Sequence, residues 1–312
     1  MRIVFFGTPD FAVQSLDAIM HSGHQVAAVV TVPDRQAGRG QKLIASAVKK
    51  YALEHRLPLL QPERLRDEAF IDALRAFEAD AFVVVAFRML PQTVWAMPPR
   101  GTFNLHASLL PQYRGAAPIN WAIINGERQT GVTTFLLNEH IDEGSILLQR
   151  STPIEPDDDA GSLHDRLAAM GREAVVATLD GLANGNLHPK PQEPQDTLKP
   201  APKIFKANCT IDFNQPAQRV ADHIRGLSPY PAATMRLADP EGTVTDFKVY
   251  QVEIEPACSH TPGTLLCDGK RYIKIAAKHG TINILSLQMS GKKRMTAEEF
   301  LRGRNITDWK LA

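Results

Sequence analysis

Over the first eighty residues, apolar runs of strand length alternate with segments of helical period. Residues 2–7, RIVFFG, are apolar at consecutive positions and stop at a turn, the pattern of a buried strand. Phe11, Ala12, Leu16 and Ile19 then share one helical face, between the opening Pro9-Asp10 and the closing Ser22-Gly23. HQVAAVVTVPD reads as a second strand, IASAVKKYALEHR as a helix and LPLLQP as a third strand. DEAFIDALRAF follows as a helix and ADAFVVVAF as a strand apolar on both faces. Strands without polar alternation, separated by helices, predict a parallel sheet covered on both sides. Ligands of such sheets sit beyond the carboxyl ends of the strands.

The pattern continues with GTFNLHASLLP as a strand and RGAAPINWAIING as a helix with Pro118 in its early turn. TGVTTFLLNEHIDEGSILLQRSTPI predicts two strands around a polar turn at 138–144. AGSLHDRLAAMGREAVVATLDGLANG is a long amphipathic helix that ends a first domain, 1–188. Five prolines between 189 and 202, among polar residues, mark an extended linker over 189–206. From 207 to 312 a helix, NQPAQRVADHIRGLS, precedes short strand-length runs: AATMRLA, DFKVYQVEIE, GTLLCD, YIKIAAK and TINILSLQM. Short strands cut by Gly, Pro and Asp predict a small β-barrel, the oligonucleotide-binding type being one form that strand count alone does not select.

Composition adds little to the fold and something to the partners. A 44% hydrophobic chain of 312 residues builds a sizeable core. Net charge is +1, yet residues 201–312 hold 16 Lys and Arg against 11 Asp and Glu, leaving 19 against 23 for residues 1–200. A basic tail on an acidic body hints at a polyanionic partner, with solvated surface as the ordinary alternative. Cys209, Cys258 and Cys267 are odd in number and fit no metal-ligand spacing, which points to a reducing compartment. The opening MRIVFFG is too short for a signal sequence, and no spanning helix is visible, so a cytoplasmic protein without a membrane partner is expected.

Candidate chemistry lies in FNLHASLLPQYRGAAPINW. Asn104 and His106 share a strand face because side chains alternate with period two. Asp142, on the polar turn between the next two strands, can reach the same edge. An amide can donate to an oxygen as it becomes negative, an imidazole can move a proton near neutral pH, and a carboxylate can orient that imidazole. None of the three accepts an acyl group well, and no G-x-S-x-G elbow occurs, so the nucleophile should belong to a substrate. Ordinary structural roles stand beside this reading: a satisfied strand His, a loop Asn and a turn-forming Asp. A metal site has no ligand spacing in its favour. The turn Gly7-Thr8-Pro9-Asp10 lacks the further glycines of a dinucleotide fingerprint. In PDRQAGRGQK, Arg35, Arg39 and Lys42 stand among glycines, as in a phosphate-contacting loop or a solvated surface turn.

The strings FFGTPDFAVQSLDAI, PDRQAGRGQKL, NLHASLLPQYRGAAPINWAIINGE and IDEGSIL, with IRGLSPYPAA and GKKRMTAEEFLRG, resemble the methionyl-tRNA formyltransferases along essentially the whole chain. The resemblance implies a Rossmann-like formyltransferase domain of α/β class, followed by a linker and an oligonucleotide-binding-type β-barrel. It implies transfer of a formyl group from 10-formyltetrahydrofolate to methionine esterified to initiator tRNA, with Asn104, His106 and Asp142 as catalytic residues. Ser108, Leu109, Leu110 and Pro111 would border the folate pterin, with Ala86 and Phe87 on the other wall. Here the chain departs from the family, which often reads VVAYG where this sequence has VVVAFRMLP; Phe87 stands for Tyr and Arg88 for Gly. Arg39 aligns with the key residue of a loop that enters the tRNA acceptor end, flanked by Arg35 and Lys42. Lys292, Lys293 and Arg294 would add phosphate contacts. No metal is implied, and the chain is expected to act as a monomer.

Overall fold

The computed structural model of the chain describes residues 1–37, 42–193, 197–256 and 259–312. The chain divides into two compact units, one of residues 1–115, 129–153 and 164–200, the other of 116–128, 154–163 and 201–312.

The chain begins with β1 (Arg2–Gly7), α1 (Asp10–Met20), β2 (Gln25–Val30) and an antiparallel pair of short strands, β3 (Arg35–Ala37) and β4 (Lys42–Ile44). Next come α2 (Ala47–Glu54), β5 (Leu59–Leu60), α3 (Glu68–Arg75), β6 (Ala81–Val85), α4 (Gln92–Trp95) and β7 (Thr102–His106). α5 (Pro118–Ile124) belongs to the second unit, and β8 (Gln129–Leu136), β9 (Ile146–Pro153) and α6 (Ala160–Asn184) follow. One sheet has the order β5-β2-β1-β6-β7-β8-β9. Its first five strands are parallel, as the continuous apolar runs predict, whereas β7–β8 and β8–β9 are antiparallel. The short polar turn after β8 leaves no room for the dozen or more residues that a parallel crossover takes.

Ile3, Val4, Phe5 and Phe6 of β1 are all fully buried. Val4 and Phe6, with Ala28 and Val30 of β2 and Phe82 and Val84 of β6, pack against Phe70 and Leu74 of α3 and Val94 of α4. The opposite face meets α1. A Cβ on Gly7 would lie 2.7 Å from Phe5 Cε1 and 2.8 Å from Ala12 Cβ, so this glycine serves close helix packing at the strand end. α6 covers β7 and β8, since a Cβ on Gly171 would fall 2.6 Å from Leu105 Cδ2 and Thr134 Oγ1 meets Thr178 Oγ1 at 2.7 Å. Leu105 thus faces α6, which turns Asn104 and His106 to the other face of the sheet.

In the second unit α7 (Ala217–Leu227) is followed by β10 (Ala233–Ala238), β11 (Val244–Glu255), β12 (Leu265–Cys267), β13 (Ile273–Ala277) and β14 (Gly280–Met289). β15 (Met295–Thr296), α8 (Ala297–Gly303) and β16 (Lys310–Leu311) complete it. These strands form a barrel-like antiparallel sheet, order β12-β13-β14-β11-β10-β16, with β15 on β14. The long β11–β14 ladder shifts register between Val249 and Val252, where such a sheet can bend. Val220, Ile224 and Leu227 of α7 fill the core with Phe247, Ile282 and Leu287. Phe247 meets the Phe300 ring nearly edge-on at 5.7 Å. No helix among the described residues is long and apolar enough to cross a membrane.

Candidate active site

β7 lies between β6 and β8, with Asn104 opposite Val84 and Phe135 and with His106 opposite Thr133. Burial of Phe103 and Leu105 fixes the register, because a slip of one residue would turn them outward. Asn104 is half-buried, and its side-chain amide has no hydrogen-bond partner among the described residues. His106 has a side chain only 7% exposed. Its Nε2 lies 2.8 Å from the carbonyl oxygen of Tyr113. A carbonyl only accepts, so Nε2 carries the hydrogen in either charge state and Nδ1 is the nitrogen that can gain or lose a proton.

That Nδ1 faces Asp142, 3.9 Å from Oδ2. Asp142 stands on the turn between β8 and β9 in a left-handed conformation, φ 55°. The same Oδ2 accepts from the Gly115 backbone N–H at 2.9 Å. The turn can form because residue 144 is glycine: a Cβ there would lie 1.6 Å from the Leu136 carbonyl oxygen. His106 and Asp142 therefore stand side by side, and Asn104 lies on the strand face of His106.

Ser108, Leu110 and Pro111 are buried and Leu109 half-buried. Ser108 Oγ donates to the Gln112 carbonyl at 2.7 Å, Thr133 Oγ1 donates to the Ser108 carbonyl at 2.6 Å, and Gln149 Nε2 donates to the Leu110 carbonyl at 2.8 Å. The Ser108 hydroxyl is thus spent on holding the loop. Ala86, at the end of β6, is exposed with φ 47°, and the Phe87 ring meets Phe6 edge-on at 5.7 Å. The Arg88 guanidinium reaches the 62–63 segment, Nη2 donating to the Pro62 carbonyl at 2.8 Å and Nη1 to that of Glu63 at 3.0 Å. Burial, and then the nearby Arg35 charge, lower its pKa.

Arg35 is exposed on β3, Lys42 begins β4, and Arg39 lies outside the described residues. Lys292, Lys293 and Arg294 are exposed, with the Arg294 guanidinium 4.4 Å from the Tyr250 ring centre. No group of three or more His, Cys, Asp or Glu among the described residues could hold a metal ion.

Residues 1–179 match the formyl transferase family and residues 203–305 the formyl transferase C-terminal domain. The methionyl-tRNA formyltransferase of Bacteroides fragilis is 52% identical over 313 aligned residues, covering 99% of this chain and 96% of that one. That of Parabacteroides distasonis is 54% identical over 309 aligned residues, covering 97% and 95%. The chain belongs to the methionyl-tRNA formyltransferase family. Among solved structures, the N-formyltransferase of Helicobacter canadensis, in complex with folinic acid and dTDP-3-aminofucose, superposes with a TM-score of 0.65 at 19% identity, over 90% of this chain and 98% of that one. At this identity the likeness speaks for the fold alone.

In this family member the sequence pattern left three groups of the site unread. The Tyr113 carbonyl fixes the His106 tautomer, Arg114 and Gln192 surround the Asp142 turn, and Thr133 pins the 108–110 loop. Each depends on contacts between residues far apart in the chain. Gln192 lies in the proline-rich stretch, where local pattern indicates only an extended segment.

Proposed function

We propose that this protein transfers the formyl group of 10-formyltetrahydrofolate to the α-amino group of methionine on charged initiator tRNA, giving N-formylmethionyl-tRNA. Identities of 52% and 54% to methionyl-tRNA formyltransferases across both domains support the substrate pair. The observation that carries the chemistry is the His106 ring, held by its Nε2 on Tyr113 with Nδ1 turned to Asp142, on the strand face shared with Asn104.

The amine attacks the formyl carbon as the free base, forming the new C–N bond, and the bond from that carbon to N10 of the folate breaks. The Asn104 amide donates to the formyl oxygen as it becomes negative. His106 Nδ1 and Asp142 manage the proton that leaves the amine and the one that N10 takes up. The folate sits between the 108–111 loop and the strand end at Ala86 and Phe87. Apolar side chains and backbone polar groups there suit a flat heterocycle. Arg35, Arg39 and Lys42 contact the tRNA acceptor end, and Lys292, Lys293 and Arg294 add phosphate contacts. On this reading catalysis belongs to residues 1–188, and residues 207–312, past the 189–206 linker, hold the tRNA. The reaction takes place where charged tRNA is, in the cytoplasm.

Single-turnover transfer from 10-formyltetrahydrofolate tests the assignment, with methionyl initiator tRNA, free methionine and an amino-sugar nucleotide offered in parallel. Transfer to the charged tRNA alone is expected. Transfer to the small amine alone would keep the catalytic trio and overturn the tRNA substrate.

A further inference from the structure

The Asp142 turn is held from outside by a residue of the proline-rich stretch. Gln192 Nε2 donates to the Asp142 carbonyl at 2.7 Å and to the Gly144 carbonyl at 2.9 Å. Its Oε1 accepts from Arg114 Nη2 at 2.8 Å and Nε at 3.2 Å. Both hydrogens and both lone pairs of the amide are in use, a pattern that only a carboxamide can satisfy. Arg114 continues the network, its Nη1 donating to Glu143 Oε1 at 2.8 Å. Gly115, next in the chain, donates its backbone N–H to Asp142 Oδ2. Asp142 at φ 55° is in a conformation that a non-glycine residue keeps only where its surroundings hold it.

The same stretch also grips the loop that holds the histidine. Ile146 and Lys190 exchange backbone hydrogen bonds at 2.7 and 2.8 Å, and the Tyr113 N–H donates to the Lys199 carbonyl at 2.8 Å. Gln112 binds it at two points, Nε2 donating to the Thr197 carbonyl at 3.0 Å and Oε1 accepting from the Lys199 N–H at 2.9 Å. Tyr113 is the residue whose carbonyl orients His106. Residues 190–193 and 197–199 thus reach both members of the His106–Asp142 pair.

We propose that Gln192 is a positioning residue for the reaction: it fixes the backbone of the Asp142 turn so that the carboxylate faces His106 Nδ1, and the stretch around it acts as a strap that sets the pair. The proposal rests on the catalytic reading of Asp142. Gln192 touches no reacting atom, so its contribution passes through Asp142.

The test is a double-mutant cycle between Gln192→Leu and Asp142→Asn in the full chain, read by single-turnover rate, KM for both substrates, pH–rate profile and thermal midpoint. Gln192→Leu keeps the volume and removes every hydrogen bond. It is expected to lower the rate roughly tenfold to a hundredfold, as a shift of a reacting group by about 1 Å does. KM should stay within about twofold, and the pH–rate profile should move in the same direction as in Asp142→Asn. The double variant should be no slower than Asp142→Asn alone, since a residue acting through Asp142 has nothing left to position. Gln192→Glu keeps the acceptors for Arg114, loses both donors and should match Gln192→Leu; it also serves if the leucine variant does not fold. A double variant slower by the product of the two single losses overturns the proposal, as does a lowered thermal midpoint with an unchanged rate. If Asp142→Asn is slow and both Gln192 variants are fast, the strap fails alone. If Asp142→Asn is as fast as the parent, the catalytic reading of Asp142 fails and the strap with it.

Discussion

His106 Nδ1 stands 3.9 Å from Asp142 Oδ2 while Nε2 is committed to the Tyr113 carbonyl at 2.8 Å, so the ring can take up a proton only on the side that the carboxylate faces. In the proposed reaction His106 moves protons and adds little to tRNA affinity. His106→Ala is expected to lower single-turnover formyl transfer by about 10² to 10⁴, the usual worth of a positioned acid or base. Filter binding should show unchanged affinity for charged tRNA. A parallel fall in affinity would give His106 a binding role instead.

Asn104 sits two residues earlier on the same strand face, its amide unpartnered among the described residues. Loss of a preorganised donor to a developing oxyanion costs about 3 kcal/mol in the transition state. Asn104→Ala should therefore reduce kcat about a hundredfold or more at nearly unchanged KM for the folate. A rise in KM with kcat intact would mean that the amide binds the ground state, and would remove the oxyanion role.

Much of this site could be read from the chain because it depends on local signals. Unbroken apolar runs marked β1, β2 and β6, and the two-residue period put Asn104 and His106 on one face. Elements too short for a period escaped: the one-turn helix at Gln92–Trp95 and the three-residue strands Arg35–Ala37 and Lys42–Ile44. α8 has a legible start, the Thr296–Glu299 capping box, but only seven residues over which to show an apolar face. The strap illustrates a different limit. Prolines remove backbone donors without removing carbonyls, so an extended proline-rich stretch can still accept from Tyr113 N–H, and no local pattern shows which donors will reach it.

The basic loop should act on tRNA and leave the folate chemistry alone. Arg39→Ala is expected to lower kcat/KM for charged tRNA while folate binding and formyl-folate hydrolysis remain near parent values. If the residue neutralises one phosphate, the slope of log kcat/KM against log salt should flatten by about one unit. Equal damage to both activities would sink the loop assignment.

His223, on α7, donates from Nε2 to the Asn208 carbonyl at 2.8 Å. Burial, reinforced by the nearby Arg219 charge, lowers its pKa against the opposing Asn208 hydrogen bond. The folded state then binds fewer protons than the unfolded one between the folded pKa and the ordinary value of about 6.5. Its stabilising contribution is complete above about pH 6.5 and is lost as pH falls through the folded pKa. Denaturant midpoints at pH 7.5 and 5.5 should differ less in His223→Gln than in the parent chain. An unchanged difference would show that His223 is not responsible.

Gly144 offers a test of turn geometry that substitutes none of the three proposed catalytic residues. A Cβ at this position would lie 1.6 Å from the Leu136 carbonyl oxygen and 3.3 Å from Phe135 Cδ2, so Gly144→Ala must push the turn off β8. The backbone carbonyl clash has no flexible end to give way, and the displacement passes to Asp142 two residues earlier. Overpacking of this kind costs about 1–3 kcal/mol of stability. The larger effect should be on catalysis, because a carboxylate moved by about 1 Å from His106 loses on the order of a hundredfold in rate. Single-turnover transfer and thermal melting of the same preparation separate the two effects. A lowered melting point with the parent rate would mean that Asp142 keeps its relation to His106 without this turn, and that its backbone path does not limit the reaction.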